Sequence, residues 1–158
     1  MGNPFRDLTL DQMLDIPPLW LLICALLGWA QAEFLPIGPA GGAVTDLLGG
    51  VLVGGGILLI LLAALEFRKH STTIVPHLTP GTLLTEGIFR RTRNPIYLGD
   101  VLILTGLMLR WEAWISLPLA AALVYILDQR FARAEEERAR AAFGARFDAY
   151  CAQTRRWL

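Results

Sequence analysis

A run of nineteen residues without a charge, from Leu47 to Leu65, constrains the fold of this chain more than any other feature. A helix needs about 20 apolar residues to cross the hydrocarbon of a bilayer. The composition agrees, because 54% of the 158 residues are hydrophobic and 18% are charged, against roughly 45–50% and ~25% in soluble domains. The sequence therefore predicts an all-α integral membrane protein.

Prolines, glycines and charges divide the chain into apolar stretches of spanning length. The prolines and glycines at 36–42 break one helix and reverse the chain, and Pro95 is suited to open another, with Asn94 as its N-cap. We predict one domain over residues 1–158, with four transmembrane helices at 17–35, 47–66, 95–110 and 113–131.

The last thirty residues predict an amphipathic helix on the cytosolic membrane surface. Phe143, Phe147 and Tyr150 follow one another at helical spacing, with arginines around them. Glu136 lies seven residues before Phe143, nearly on the same stripe, so a buried carboxylate there needs a cationic or hydrogen-bonding partner. The alternative is a solvated acidic run paired with neighbouring arginines.

Glycine is frequent in the second predicted span, at positions 49, 50, 54, 55 and 56. Small residues let membrane helices approach closely, so this span is expected to pack against another helix or against a second copy of the chain. A loose membrane composition explains any single glycine equally well. Where the partner is a second copy of the chain, this packing predicts a homo-oligomer.

The distribution of charge predicts the orientation in the membrane. Fourteen basic and fourteen acidic residues cancel, so the overall balance indicates no nucleic-acid partner. Most Lys and Arg residues lie in 67–94 and after 128. By the positive-inside rule both segments are cytoplasmic, which places both termini and the active site on the cytosolic face of the cell inner membrane.

Two features in or beside the third predicted span suggest chemistry. The helix start at Asn94 and Pro95 offers unpaired N–H groups to a polar ligand, although Arg93 and Tyr97 also fit a simple interfacial anchor. Asp100 is an ionisable residue inside a membrane helix, which is a functional hypothesis by default. Snorkelling or an ion pair with Arg93 would explain it as well.

The chain resembles the superfamily of isoprenylcysteine carboxyl methyltransferases and phospholipid methyltransferases. The resemblance covers roughly residues 72–158 and rests on these motifs: residues 83–99 with Arg93-Asn94-Pro95-Ile96-Tyr97-Leu98-Gly99, the pair Glu135-Glu136, then Phe143-Gly144, Phe147, Tyr150 and Arg155-Arg156-Trp157-Leu158.

This resemblance implies a membrane enzyme that uses S-adenosylmethionine and needs no metal. It implies that the cofactor is bound by these residues: Thr82, Leu83, Leu84, Phe89, Asn94, Pro95, Ile96, Tyr97, Glu135 and Glu136, with His77 as a pocket wall. His70 and His77 match no metal-ligand spacing and are otherwise solvated loop histidines.

Two departures from the family pattern concern the acceptor. Eukaryotic members have histidine where this chain has Asn94, which cannot carry a proton near neutral pH. Prenylcysteine enzymes have an acceptor-binding arginine where this chain has Phe131, so we expect Arg130 or Arg133 to orient the acceptor. An acceptor that must lose a proton would need a base, for which Asp100 and Glu136 are the candidates.

The expected function is methyl transfer to a lipid-like acceptor in the bilayer. O-methylation of a carboxylate on an isoprenyl-type substrate is favoured, and N-methylation of a phospholipid amine comes next. The alternatives are an NADPH-dependent membrane reductase of related architecture and a non-catalytic membrane scaffold.

Overall fold

The computed structural model describes residues 15–70 and 82–158, and in these ranges it contains helices and turns but no strand. The helices are α1 (Pro17–Phe34), α2 (Ala43–Lys69), α3 (Pro95–Arg110), α4 (Pro118–Leu127), α5 (Arg133–Phe143) and α6 (Ala145–Gln153). Short 3-10 turns precede α3 and α4, at Gly87–Arg90 and Trp114–Ser116, and a π-helical turn at Asp128–Ala132 joins α4 to α5. The all-α prediction is confirmed.

Among the described residues, three helical segments are long and apolar enough to cross a membrane. They are α1, α2 and the continuous run Trp114–Phe143 that contains α4, the π turn and α5, and they make the chain an integral membrane protein. The predicted span at 95–110 has the bounds of α3, whose 16 residues are fewer than in these three segments. Helix α3 lies along α2, its most extensive neighbour.

Glycines bring the backbones of α2 and α3 together at two levels. A Cβ on Gly56 would lie 2.5 Å from the carbonyl oxygen of Gly99, and a Cβ on Gly106 would lie 2.6 Å from that of Gly49. Both distances are far below van der Waals contact, so only glycine fits. A Cβ on Gly54 meets nothing within 4 Å. The packing interpretation therefore holds for the two glycine pairs, which we call the glycine contact.

The main apolar core lies between α1, α3 and α4. Leu104 and Met108 of α3, with Leu123 and Leu127 of α4, have no solvent-exposed surface. Pro118, which interrupts the apolar stretch in the sequence, is the first residue of α4, where its missing N–H costs no hydrogen bond.

The amphipathic segment is two helices where one was expected. The chain breaks at Gly144, whose φ of 52° is left-handed and favours glycine. Phe147 and Tyr150 nevertheless share one cluster with Ala139 and Leu83. The Tyr150 hydroxyl also donates a hydrogen bond to the carbonyl oxygen of Phe89 at 2.7 Å. These contacts fix α5 and α6 against the segment that leads into α3.

Candidate active site

A cavity of about 280 Å³ lies where the start of α1, the end of α2, the start of α3 and α5 meet. Its lining is mostly apolar, with one carboxylate, one amide, one phenol and one guanidinium among the side chains. The lining residues are Ile16, Pro17, Pro18, Phe67, Phe89, Arg93, Asn94, Pro95, Ile96, Tyr97 and Glu135.

The start of α3 contributes backbone donors to this cavity. Pro95 is the first helical residue, as predicted, and the first hydrogen bond of the ladder runs from Leu98 N to Asn94 O at 3.0 Å. The N–H groups of Ile96 and Tyr97 therefore precede the ladder and have no acceptor within the helix. Asn94 occupies the N-cap position without capping the helix. Its amide instead donates to the carbonyl oxygen of Arg156 at 3.4 Å.

Tyr97 and Glu135 meet across the cavity. The phenol of Tyr97 donates to Glu135 Oε1 at 2.5 Å, although 38 residues separate the two along the chain. The ring of Tyr97 is held by Phe131 of the π turn, with the ring centroids 6.3 Å apart. The asparagine-proline corner and the first residue of the acidic pair thus face the same chamber, which is the juxtaposition that the resemblance implies.

Glu136 faces away from the cavity and has the partners that its buried position requires. Its Oε1 accepts from Arg93 Nη2 at 2.9 Å, and its Oε2 accepts from Arg156 Nη2 at 2.7 Å. The hydrogen bonds to Glu136 raise the pKa of Arg156, which therefore stays charged. The prediction of a partner for Glu136 is confirmed, but the structure does not bring its carboxylate to the cavity.

The two arginines expected at the acceptor also lie outside the cavity lining. Arg130 Nη2 is 2.9 Å from Asp15 Oδ2, and its guanidinium lies 5.4 Å from the ring centroid of Trp20. Arg133 Nε is 2.9 Å from Asp128 Oδ2. Each arginine therefore binds an aspartate and does not line the cavity.

Asp100 is buried one helical turn beyond Tyr97, with 5% of its surface exposed. Its Oδ2 atom has no hydrogen-bond partner among the described residues. The ion pair with Arg93 that would explain this residue is not formed, because Arg93 binds Glu136. Asp100 does not belong to the cavity lining.

The structure divides the expected cofactor residues into two groups. Six line the cavity: Phe89, Asn94, Pro95, Ile96, Tyr97 and Glu135. Thr82 is exposed, Leu83 packs on α5 and α6, and Leu84 packs with Phe89 and Ala63. None of these three lines the cavity, and His77 lies outside the described residues.

Sequence reasoning missed the contribution of the first two helices. Ile16, Pro17 and Pro18 form one wall at the start of α1, and Phe67 contributes from the last turn of α2. The paired prolines before an apolar run mark a helix start, but nothing in their spacing indicates that this start faces α3.

Comparison with known proteins gives a match to one protein family. The family model described as phospholipid methyltransferase matches residues 44–146, which is more than half of the chain. No significant match was found among curated proteins or among solved structures. The matched segment contains α2, α3, α4 and α5, and with them the cavity residues from Phe67 to Glu135. A chain that matches this model over such a length is a membrane methyltransferase, and it belongs to the phospholipid methyltransferase family.

Proposed function

We propose that this chain transfers a methyl group from S-adenosylmethionine to the polar head of a lipid-like acceptor. One observation carries the proposal: Asn94 and Tyr97, at the start of α3, line a single cavity together with Glu135 of α5, which lies 38 residues beyond Tyr97 along the chain. The family membership supports the methyl transfer, and the cavity supports the choice of cofactor.

The residues of the cavity fit the chemical groups of S-adenosylmethionine. A carboxylate such as Glu135 can accept hydrogen bonds from ribose hydroxyls or from the cofactor's ammonium group. The free N–H groups of Ile96 and Tyr97, at the positive end of the α3 dipole, suit the cofactor's carboxylate. Phe89, also in the lining, offers an apolar ring for the adenine.

When bound, the cofactor supplies an electrophilic methyl group on a sulfonium. The protein then has to orient the acceptor in line with that methyl group and exclude water. The apolar walls formed by Ile16, Pro18 and Phe67 serve the exclusion of water and suit the tail of a lipid. We propose that the acceptor enters from the bilayer, between the start of α1 and the end of α2.

The charges around the cavity favour an amine head group over a carboxylate. Arg130 and Arg133 are paired with aspartates, and Arg93 is paired with Glu136. Glu135 lines the cavity, and its carboxylate attracts an ammonium group. We therefore propose the second acceptor class considered from the sequence, a phospholipid amine, as the substrate.

An amine acceptor must lose a proton before it can attack the methyl group, so a base is required. Glu135 faces the cavity, and its carboxylate already accepts a hydrogen bond from Tyr97. Glu136 is bound by two arginines, and Asp100 lies behind the cavity wall. We therefore propose Glu135 as the proton acceptor, with Tyr97 as the residue that fixes its orientation.

We also propose that the cavity opens on the cytosolic side of the inner membrane. The support is the excess of basic residues in the loop before α3 and in the segment after α4, on the side where the cavity lies. The cofactor would then enter from the cytosol.

Calorimetric titration of the purified protein in detergent tests the proposed cofactor. We expect binding of S-adenosylhomocysteine and none of NADPH. Glu135→Gln should weaken that binding by about tenfold, which corresponds to about 1.4 kcal/mol, because it removes the charged acceptor. The matched control is Glu137→Gln, two positions away and exposed, which should bind as the unsubstituted protein does.

Binding of NADPH without S-adenosylhomocysteine would overturn the methyltransferase proposal in favour of the reductase. Binding of neither ligand would favour the scaffold. The acceptor class is tested separately, by transfer of a labelled methyl group to phosphatidylethanolamine vesicles or to a farnesylated cysteine. Transfer to the farnesylated cysteine alone would contradict the amine.

A further inference from the structure

The segment Thr154–Arg156, which we call the strap, crosses over the residues that lead into α3. Backbone N–H of Arg93 donates to the carbonyl oxygen of Arg155 at 3.0 Å. The hydroxyl of Thr92 donates to the carbonyl oxygen of Arg156 at 2.9 Å, and the Asn94 amide donates to the same oxygen. The strap therefore contacts three consecutive residues, the last two of which line the cavity.

Side chains join the strap to α5. The guanidinium of Arg156 donates to both oxygens of Glu136, at 2.9 and 2.7 Å, and its third nitrogen donates to Asp128 Oδ1 at 2.8 Å. Arg93 binds Glu136 from the other side and donates to the carbonyl oxygen of Thr154. With Arg133, which also binds Asp128, three arginines and two carboxylates thus form one cluster, in which the side chains of Glu136 and Arg93 are 11% and 13% exposed.

None of the strap residues lines the cavity, and neither does Glu136. They are instead directly connected to lining residues. Glu136 follows Glu135 in the sequence, and the strap accepts hydrogen bonds from Arg93 and Asn94. The strap also lies beyond residue 146, where the match to the family model ends.

Stability alone is a weak explanation for such a cluster. Buried ion pairs lose in desolvation much of what they gain in attraction, and apolar residues of similar volume are often as stabilising. The cluster does fix the relative orientation of the side chains that it joins, because a guanidinium that bridges two carboxylates permits few arrangements of these groups.

We propose that the strap, which is joined to Glu136 through Arg156, positions the residues of the cofactor site. It holds the start of α3 and the start of α5 in the relative positions at which Asn94 and Glu135 both line the cavity. The inference rests on the proposed function, because it assigns these residues an effect on cofactor binding without contact with the cofactor.

Calorimetric titration with S-adenosylhomocysteine, at a temperature well below the unfolding midpoint, tests the inference. We expect Arg156→Ala and Glu136→Gln to raise the dissociation constant by about tenfold, as the loss of a charge-assisted hydrogen bond does. Arg156→Lys should recover part of this loss, since it retains the charge but not the bridge. The matched control is Arg146→Ala, an exposed arginine of α6 outside the strap, which should bind normally.

A second variant and a second measurement guard against misfolding of these proteins. Thr92→Val keeps the shape of the side chain and removes its hydrogen bond to the strap, together with the one that its Oγ1 accepts from the backbone N–H of Asn94, so it should raise the dissociation constant by severalfold. Without any ligand, amide hydrogen exchange at residue 93 and at residues 96–98 should be faster in Thr92→Val and Arg156→Ala than in Arg146→Ala.

Normal S-adenosylhomocysteine binding by folded Arg156→Ala, or by Thr92→Val if the former does not fold, would overturn the positioning role and leave the proposed function intact. Unchanged exchange in Thr92→Val would also overturn it. Failure of the unsubstituted protein to bind S-adenosylhomocysteine would overturn the proposed function, and the positioning role with it.

Discussion

Arg130 contacts the start of α1, where the apolar wall of the cavity begins. Its guanidinium binds Asp15 and lies over Trp20, while the indole N–H of Trp20 donates to Asp15 at 2.9 Å. Asp15 directly precedes Ile16, which lines the cavity. At the scale of single residues, Arg130 can therefore affect the acceptor through this wall and does not need to touch it.

This geometry predicts that Asp15→Asn and Arg130→Ala have the same effect. Both should lower methyl transfer to phosphatidylethanolamine vesicles and leave S-adenosylhomocysteine affinity unchanged. The loss of stability should be about 1 kcal/mol or less, because Arg130 is half exposed. A steady-state assay with titration of both substrates measures the effect. If only Arg130→Ala were impaired, Arg130 would contact the acceptor directly.

Two features of the candidate site could be predicted from single residues. The motif around Asn94 and Pro95 indicated the helix start, and the phase of Glu136 relative to Phe143 indicated a buried carboxylate with a partner. The identity of that partner could not be read from the sequence, because Arg156 meets Glu136 only through the return of the chain after Gly144. Hydrophobic periodicity describes one helix at a time, whereas this contact joins α5 to the strap.

At the scale of helices, α2 and α3 are joined by the glycine contact. Gly49 and Gly56 are seven residues apart, as are Gly99 and Gly106, so the two pairs lie on one face of each helix. This spacing was available in the sequence. Which of the five glycines of α2 would face α3 was not, because the neighbouring Gly50, Gly54 and Gly55 carry no distinguishing signal.

The glycine contact predicts that Gly56→Ala destabilises the protein, whereas Gly54→Ala does not. A Cβ at position 56 would overlap the Gly99 carbonyl oxygen, so the helices must separate. Such overpacking costs about 1–3 kcal/mol. Thermal unfolding in detergent, followed by loss of helical circular dichroism, gives the comparison. Equal unfolding midpoints for the two variants would contradict the close packing of α2 on α3.

At the scale of the whole molecule, the apolar helices and their order could be predicted from hydropathy, and the arrangement of the bundle could not. The first two predicted spans had only hydropathy to describe them, yet α1 and α2 supply Ile16, Pro17, Pro18 and Phe67 to the cavity. Lipid-facing and cavity-facing apolar residues have the same composition. Only their neighbours in three dimensions distinguish them.

The proposed orientation predicts opposite labelling of two engineered cysteines in intact cells. The chain has two cysteines, Cys151 and the buried Cys24, so Cys24→Ser combined with Cys151→Ser provides a background without native thiols. Gly42→Cys, at an exposed position with open space for a side chain, should react with a membrane-impermeant maleimide from outside. Ala152→Cys, also exposed, should react only after permeabilisation. The reverse pattern would place the cavity on the outer side.

The hydrogen bonds between residues 92–94 and residues 154–156 also have a consequence for biosynthesis. A ribosome completes α1, α2 and α3 well before it reaches the strap, so the growing polypeptide holds its membrane helices while Thr92 and Asn94 still lack their acceptors. Under the positioning role proposed for the strap, the cofactor site therefore forms only after residues 154–156 have been synthesised. Methyl transfer to lipids would then begin only once the strap has left the ribosome and reached the start of α3.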